Sequence, residues 1–468
     1  MKISTGSGKK YREEKDPLGV KKVPAEAYYG IQTFRAVENF VISPYKQPRE
    51  IIYSIALIKI AAAMANMKLG ALSAKNGKAI IKASREILDG KMDSQFPVDA
   101  YQSGAGTSTH MNVNEVIANR ANEMLGQKRG QYKPVHPNDH VNLGQSTNDV
   151  FPTAMRISSI RALNDLVIKM DSLSKSFLQK GKEFKNIIKS GRTHLQDAVP
   201  LTLGNEFTAY GENIARWKKN ILEASHSLEE LGIGGTAVGN GINTKKGYRE
   251  LVIKYLRAET GLNLKTSRNL YESMQSMAPF INVSGNLRGF CLDLVRICND
   301  LRLLASGPRT GLNEIELPAV QPGSSIMPGK VNPVIPEAVT MTAFQIIGND
   351  TAISYAAQAG QLELNVMMPL IAFNLLNSIK LLANSLSMLS EKCIKGLKAN
   401  REMCRLHAER SVGLATALTP YIGYMNSADV AKESLRTGRT ISEIVKEKKL
   451  LRDDEIEKII FNRLKRND

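Results

Sequence analysis

The sequence predicts a mainly α protein built around a bundle of long helices, and three observations carry that prediction. Residues 152–187 place Ile157, Ile160, Leu163, Val167, Met170, Leu173 and Phe177 three and four apart, one apolar helix face sustained over an unusual length. Residues 274–305 repeat the theme, with Phe280, Leu287, Leu294 and Leu301 seven apart and Cys291 and Cys298 on a neighbouring track. Strand signals elsewhere are few and short. Long helices with heptad-like faces need partner helices. Apolar residues around much of their circumference place part of that surface against other subunits.

Taken in order, residues 1–15 are polar and read as a disordered start. From about 48 to 146 the pattern is short helices and loops, punctuated at Phe96-Pro97 and His136-Pro137-Asn138-Asp139. The helix over 152–187 follows. Segments 200–230, 274–305, 335–360 and 369–395 are helical by the same criterion. Beyond about 398 lies a shorter unit of several short helices, with turns at Gly423 and Gly438. Three domains result: 1–146, mostly helical; 147–398, the bundle; and 399–468, a small helical domain.

The 468 residues suffice for more than one domain, and 43% hydrophobic with 23% charged residues is an ordinary globular composition. The excess of 63 Lys and Arg over 45 Asp and Glu gives a net charge of +18. A basic surface can bind phosphates, yet these bases are dispersed among acids, as in Lys182-Glu183 and Lys446-Glu447-Lys448-Lys449. No nucleic-acid recognition motif accompanies them, and a single Trp offers few stacking platforms, so specific nucleic-acid binding is not expected. Attraction of a dicarboxylate and a generally basic proteome explain the positive charge equally well. The first ten residues lack an apolar signal core, and the apolar stretch 51–72 is interrupted by Lys59 and Lys68, which argues against a membrane span. Cys291, Cys298, Cys393 and Cys404 form no Cys-x-x-Cys and read as buried thiols. A soluble, cytoplasmic protein is expected.

The chemistry is concentrated in Gly323-Ser-Ser-Ile-Met-Pro-Gly-Lys-Val-Asn-Pro333. Gly323 and Gly329 read as hinges of a mobile loop. Asn332 reads as an N-cap and Pro333 as the first residue of a helix. Ser324, Ser325 and Lys330 then lie beside a helix N-terminus, a natural place for a carboxylate. Three more polar segments precede it: Gly104-Ala-Gly-Thr-Ser108 running into Met111-Asn-Val-Asn-Glu115, Gln145-Ser-Thr-Asn-Asp149, and Gly191-Arg-Thr-His-Leu-Gln-Asp-Ala198. Two weaker signals fail on context. His136 and His140 have helical metal-ligand spacing but sit in a turn-rich segment with no third ligand. Gly232-Ile-Gly-Gly-Thr-Ala237 follows an apparent helix rather than the strand a dinucleotide fingerprint requires.

In their order these segments resemble the aspartase/fumarase superfamily, from Tyr28-Tyr29-Gly30 to Tyr421-Ile-Gly-Tyr424. The resemblance implies elimination of a group beta to a carboxylate with release of fumarate. It also implies a homotetramer around a central helical bundle, each active site drawing loops from three subunits. By match to the motifs, Ser324 is the proton-abstracting base. Lys330, Asn332 and Thr193 hold the α-carboxylate, while Thr107, Ser146, Thr147 and Ser325 surround the β-carboxylate. Asn148 and His194 lie near the leaving group, and the glycine-rich loop after 232 lines the site. In fumarase-like members a glutamate pairs with the histidine, and Glu337 occupies that position.

The chemistry explains the residue types. Removing a proton from a weakly acidic carbon loads the adjacent carboxylate with negative charge, and oriented hydroxyls, amides and a fixed cation gain strength as that charge develops. Gly104-Ala-Gly-Thr-Ser108 and Val334-Ile-Pro-Glu337 are similar to the aspartase branch. Met368, where that branch has Glu, and His110, where the family has Asn, depart from it. The leading expectation is reversible elimination of ammonia from L-aspartate. Fumarate hydration, a lyase on another amino-succinyl substrate and a non-enzymatic scaffold are the alternatives. No cofactor is expected, and no ligand set identifies an activating metal.

Overall fold

A computed structural model describes residues 10–452, 454–456, 458 and 459. The chain opens with β1 (Tyr11–Asp16) and β2 (Gly19–Pro24), then α1 (Ile31–Asn39), α2 (Arg49–Lys68), α3 (Ala74–Leu88) and α4 (Thr107–Met124). The 37-residue α5 (Thr147–Glu183) leads into the hairpin β3 (Ile188–Thr193) and β4 (Gln196–Thr202), then α6 (Leu203–Ser225). Next come β5 (Glu230–Leu231), α7 (Tyr248–Thr260), β6 (Lys265–Thr266), α8 (Leu270–Gln275) and α9 (Ala278–Leu304). After β7 (Ile315–Glu316) follow α10 (Val334–Gln358), α11 (Met368–Leu389) and β8 (Lys398–Ala399). Then come four short helices, α12 (Arg401–Arg410), α13 (Leu414–Ile422), α14 (Tyr424–Thr437) and α15 (Ile441–Glu447).

The expected long faces are the buried ones. On α5, Ile157, Leu163, Met170, Leu173 and Phe177 are buried, as are Phe280, Leu287, Leu294, Leu301, Cys291 and Cys298 on α9. Four readings need correction. The polar start is ordered from Tyr11, because Tyr11–Asp16 pairs antiparallel with Gly19–Pro24 and the Arg12 guanidinium bonds four backbone carbonyls of residues 24–29; residues 1–9 lie outside the described residues. The region 48–146 carries long helices rather than short ones, since α2 runs 20 residues. The segment expected to be helical from 200 begins instead with the end of β4. The turn-rich segment Pro137–Val141 closes as one π-helical turn.

The chain divides into two compact units: Met1–Leu166, Asn220–Gly289 and Gln345–Leu381 form one, and Val167–Lys219, Phe290–Phe344 and Leu382–Asp468 the other. In the first, α2 packs on α3 and α7, and α3 on α4. Among the described residues α2 alone is long and apolar enough to cross a membrane, and 78% of its most apolar window is buried inside the protein. In the second unit the β3–β4 hairpin packs against α12 and α13. Leu414, Leu418, Val430, Ile441, Ile444 and Val445 form a core for the last helices. Thr440 caps α15 there in a reciprocal capping box with Glu443.

Candidate active site

In the first unit two helix starts present the polar residues. Ahead of α4 the chain turns through Ala105 and Gly106 at φ +60° and +85°. A side chain at Gly106 would enter the ring of Phe151, so only glycine brings Thr107 to the first helical position there. Ser103 and Gln102 bond Ser108 and Thr109, leaving Thr107 exposed at the helix N-terminus. At the start of α5, Ser146 Oγ accepts the Asn148 N–H (3.2 Å), and Asp149 ties the turn to the glycine-rich loop. Its carboxylate accepts the N–H groups of Ser146, Gly234 and Thr236, each at 2.9 Å. Burial pushes the Asp149 carboxyl up to about 7 against the pull of those amides and of Lys59. Asn148 donates to the Ala237 carbonyl (2.7 Å), so the glycine-rich loop does line this cluster. It follows the two-residue β5 rather than a helix and opens no helix of its own, which removes the dinucleotide reading.

Beneath Thr147 lies an assembly that sequence reasoning missed in part. Thr147 Oγ1 is 2.8 Å from His110 Nδ1, and His110 Nε2 is 2.7 Å from Lys59 Nζ. Lys59 also donates to Asn142 Oδ1 and Gln145 Oε1, both at 2.9 Å. Lys59 and His110 are fully buried. The signal was a lone Lys inside an apolar helix: a charge there is retained only when polar groups surround it. The other departure, Met368, is a buried core residue at the start of α11.

The second unit holds the remaining residues. Thr193 ends β3, and the two-residue tip His194–Leu195 has φ +55° and +59°, the left-handed pair a tight hairpin turn demands. Thr193 and His194 are exposed. The root of the hairpin rests on Glu314, fully buried, whose carboxylate meets Arg192 (2.9 Å), Lys189 (3.1 Å) and His407 (2.9 Å). Burial alone would raise that carboxyl, but Arg192, Lys189 and His407 together hold it below the ordinary value.

The segment 323–333 forms a closed loop. Gly323 N–H donates to the Lys330 carbonyl (2.8 Å), and the Asn332 amide donates to the Gly323 carbonyl. Asn332 therefore ties the neck rather than capping a helix, and α10 begins at Val334. Gly323 serves the same neck: its Cβ would strike the Lys330 carbonyl and lie 2.8 Å from Asn332 N, so its role is close approach rather than a hinge. Gly329, at φ +79°, makes the turn. Inside the loop, Ser324 Oγ accepts the N–H groups of Ile326 (3.2 Å) and Met327 (3.0 Å). Ser325 and Lys330 are exposed. Glu337 faces Arg302 at 3.9 Å, and His194 has no side-chain partner among the described residues, so the expected Glu337–His194 pair is not made within one chain.

Among the described residues no group of three or more His, Cys, Asp or Glu converges to hold a metal. Both nearby imidazoles are otherwise engaged, since His140 Nδ1 accepts the His136 N–H (2.9 Å) and His136 Nδ1 accepts the N–H groups of Asn138 and Asp139. What the two units offer is a set of oriented donors at two helix starts, a hairpin tip and a loop, chemistry suited to carboxylates.

A helical lyase with a donor-rich loop of this kind is what comparison with known proteins returns. A lyase family model matches residues 19–348, and the C-terminal model of fumarase C matches residues 414–461. The chain belongs to the aspartase/fumarase superfamily. It is 50% identical over 460 residues to the aspartate ammonia-lyase of Pseudomonas fluorescens, covering 97% of this chain and 96% of that protein. With the aspartate ammonia-lyase of Bacillus subtilis it shares 48% over 454 residues, 97% and 95% of the two chains. Among solved structures, the cobalt-bound fumarate lyase:delta crystallin of Brucella melitensis superposes at TM-score 0.95 with 46% identity, over 98% of this chain and all (100%) of that one. Class II fumarase of Schistosoma mansoni superposes at 0.94 with 39% identity, over 98% and 100%.

Proposed function

We propose that the protein is an aspartate ammonia-lyase that converts L-aspartate reversibly to fumarate and ammonia, with Ser324 as the base. The observation that carries the reading is the pair of N–H groups on Ser324 Oγ. A neutral serine is a poor base, and two amide donors aimed at its oxygen lower the cost of the alkoxide. The alkoxide takes the Cβ proton, and the C–H electron pair passes into the β-carboxylate as an enediolate. Thr107, Ser146, Thr147 and Ser325 stabilise that carboxylate, while Lys330, Asn332 and Thr193 hold the other. Collapse of the enediolate forms the double bond and expels the substrate ammonium as neutral ammonia with the C–N pair, so no proton need be supplied. Asn148 and His194 receive the departing group.

The residues come from both units, and large apolar side chains stand exposed along the long helices, among them Leu292, Met341, Phe344 and Tyr355. The exposed faces support a homotetramer with shared sites, which a light-scattering mass of about four chains tests; a cytoplasmic location is part of the same proposal. No specific nucleic-acid partner is assigned. Fumarate absorbance followed after adding L-aspartate, and separately malate, tests the reaction. Activity with aspartate is expected; activity with malate alone assigns fumarate hydration, and activity with neither points to a scaffold or another amino-succinyl substrate. Ser324→Ala abolishes turnover with the assembly intact, and near-normal turnover in that variant removes Ser324 from the base role.

A further inference from the structure

We infer that Lys59 and His110 form a buried relay that orders the proton on Thr147, so that its hydroxyl is presented to the substrate as a donor. The inference rests on the assignment of Thr147 to the β-carboxylate. Neither Lys59 nor His110 touches substrate in this reading; both are positioning residues. With Lys59 as the ammonium, the geometry sets the direction. Lys59 Nζ carries three hydrogens and meets three partners, Asn142 Oδ1 and Gln145 Oε1 at 2.9 Å and His110 Nε2 at 2.7 Å. An ammonium has no acceptor, so the ring nitrogen facing it must carry the lone pair. The proton of a neutral imidazole then sits on Nδ1, which faces Thr147 Oγ1 at 2.8 Å. Thr147 Oγ1 therefore accepts from the ring, and its own hydrogen is free to turn toward an anion at the start of α5.

The surroundings maintain that order. The charged and titratable groups facing the pair are each other, Asp149 on α5, and beyond it Tyr248 on α7. Burial, then the Lys59 charge, holds the His110 imidazole well below its usual range, so the ring is neutral and a single tautomer is enforced. Burial holds Lys59 well below its usual range, with Asp149 opposing that shift, so the ammonium form rests on its acceptors Asn142 and Gln145. Were Lys59 neutral, its lone pair would accept from Nε2–H, the ring would accept from Thr147, and the hydroxyl would point inward, away from the substrate. Lys59 thus sets which way the whole chain of hydrogen bonds runs.

The test is a double-mutant cycle on the full-length protein, read as kcat/KM for L-aspartate and as succinate binding to the same variants on a Ser324→Ala background. His110→Gln keeps an amide near the Nε2 position but withdraws the Nδ1 donor from Thr147, and kcat/KM and succinate affinity fall about tenfold. His110→Asn restores an N–H near the Nδ1 position and recovers most of the loss. In a Thr147→Val background His110→Gln has no further effect, because the group it orders is gone. Lys59→Met, which frees the ring to reverse, reproduces the loss if His110→Gln does not fold. Additive losses, or a His110→Gln enzyme with unchanged kcat/KM, overturn the relay. A Thr147→Val enzyme with unchanged kcat/KM overturns instead the assignment of Thr147 to the substrate, and the relay with it.

Discussion

Gly323→Ala tests whether the neck of the signature loop matters for turnover. A methyl group at Gly323 would strike the Lys330 carbonyl and lie 2.8 Å from Asn332 N, both backbone atoms that cannot swing aside like a flexible side chain. The backbone angle at Gly323 is not left-handed, so the cost is steric, not conformational. Relief requires opening the neck, which forfeits the Gly323–Lys330 bond (2.8 Å) and the Asn332–Gly323 bond. Two hydrogen bonds at about 0.5–1.5 kcal/mol each give about 1–3 kcal/mol, a change of roughly 5- to 150-fold in the population that holds Ser324 against its two amides. Fumarate formation from L-aspartate should show kcat/KM reduced within that range. The loop is exposed and contributes little to global stability, so Tm should stay within about 2 °C of the parent. A kcat/KM equal to the parent's would show that the neck plays no part in presenting Ser324. An equal fall in Tm would show that the loop is structural.

Glu314→Ala should lower stability by about 3 kcal/mol, because it takes the buried carboxylate from Arg192 while Lys189 keeps Glu206 (2.8 Å); a Tm within a degree of the parent's would refute this. The same carboxyl, held below its ordinary value of 4.5 in the folded chain, contributes stability that is present above that pH and lost as pH falls through the lower folded value. A Tm–pH curve should therefore fall on the acid side in the parent and fall less steeply there in Glu314→Ala, other depressed carboxyls such as Glu123 and Asp171 remaining.

How far the molecule was legible in its sequence depended on whether a residue's surroundings left a period to read. α5 and α9 were visible because each has a buried and an open side. α2 was underestimated because Ile51, Ile55, Ile58, Ala61 and Ala65 are buried together with Ile52, Ala56, Ile60 and Ala62, leaving no polar face to set a period. The β3–β4 hairpin escaped notice because His194–Leu195 is not a turn dipeptide and Pro200 lies inside β4. In the candidate site, the loop around Ser324 was announced by its glycines and prolines, which act locally. Lys59 was read only as an interruption, because its partners stand 51 to 86 residues away and no local pattern encodes them. Asn332 was misassigned for a related reason: as an N-cap it suited Pro333, but one donor of its amide closes onto the Gly323 carbonyl instead.

The hairpin tip has an implication for anyone who engineers this chain. His194 and Leu195 both occupy a backbone region natural to glycine, and Leu195 is 72% exposed. An Asn-Gly pair would relax that corner by about 1–2 kcal/mol for each residue relieved. Directed evolution scored on heat tolerance alone would drift toward that relaxed corner and discard the imidazole. Under the role proposed for His194, thermal hardening and chemistry compete at that position, so a useful screen must score both.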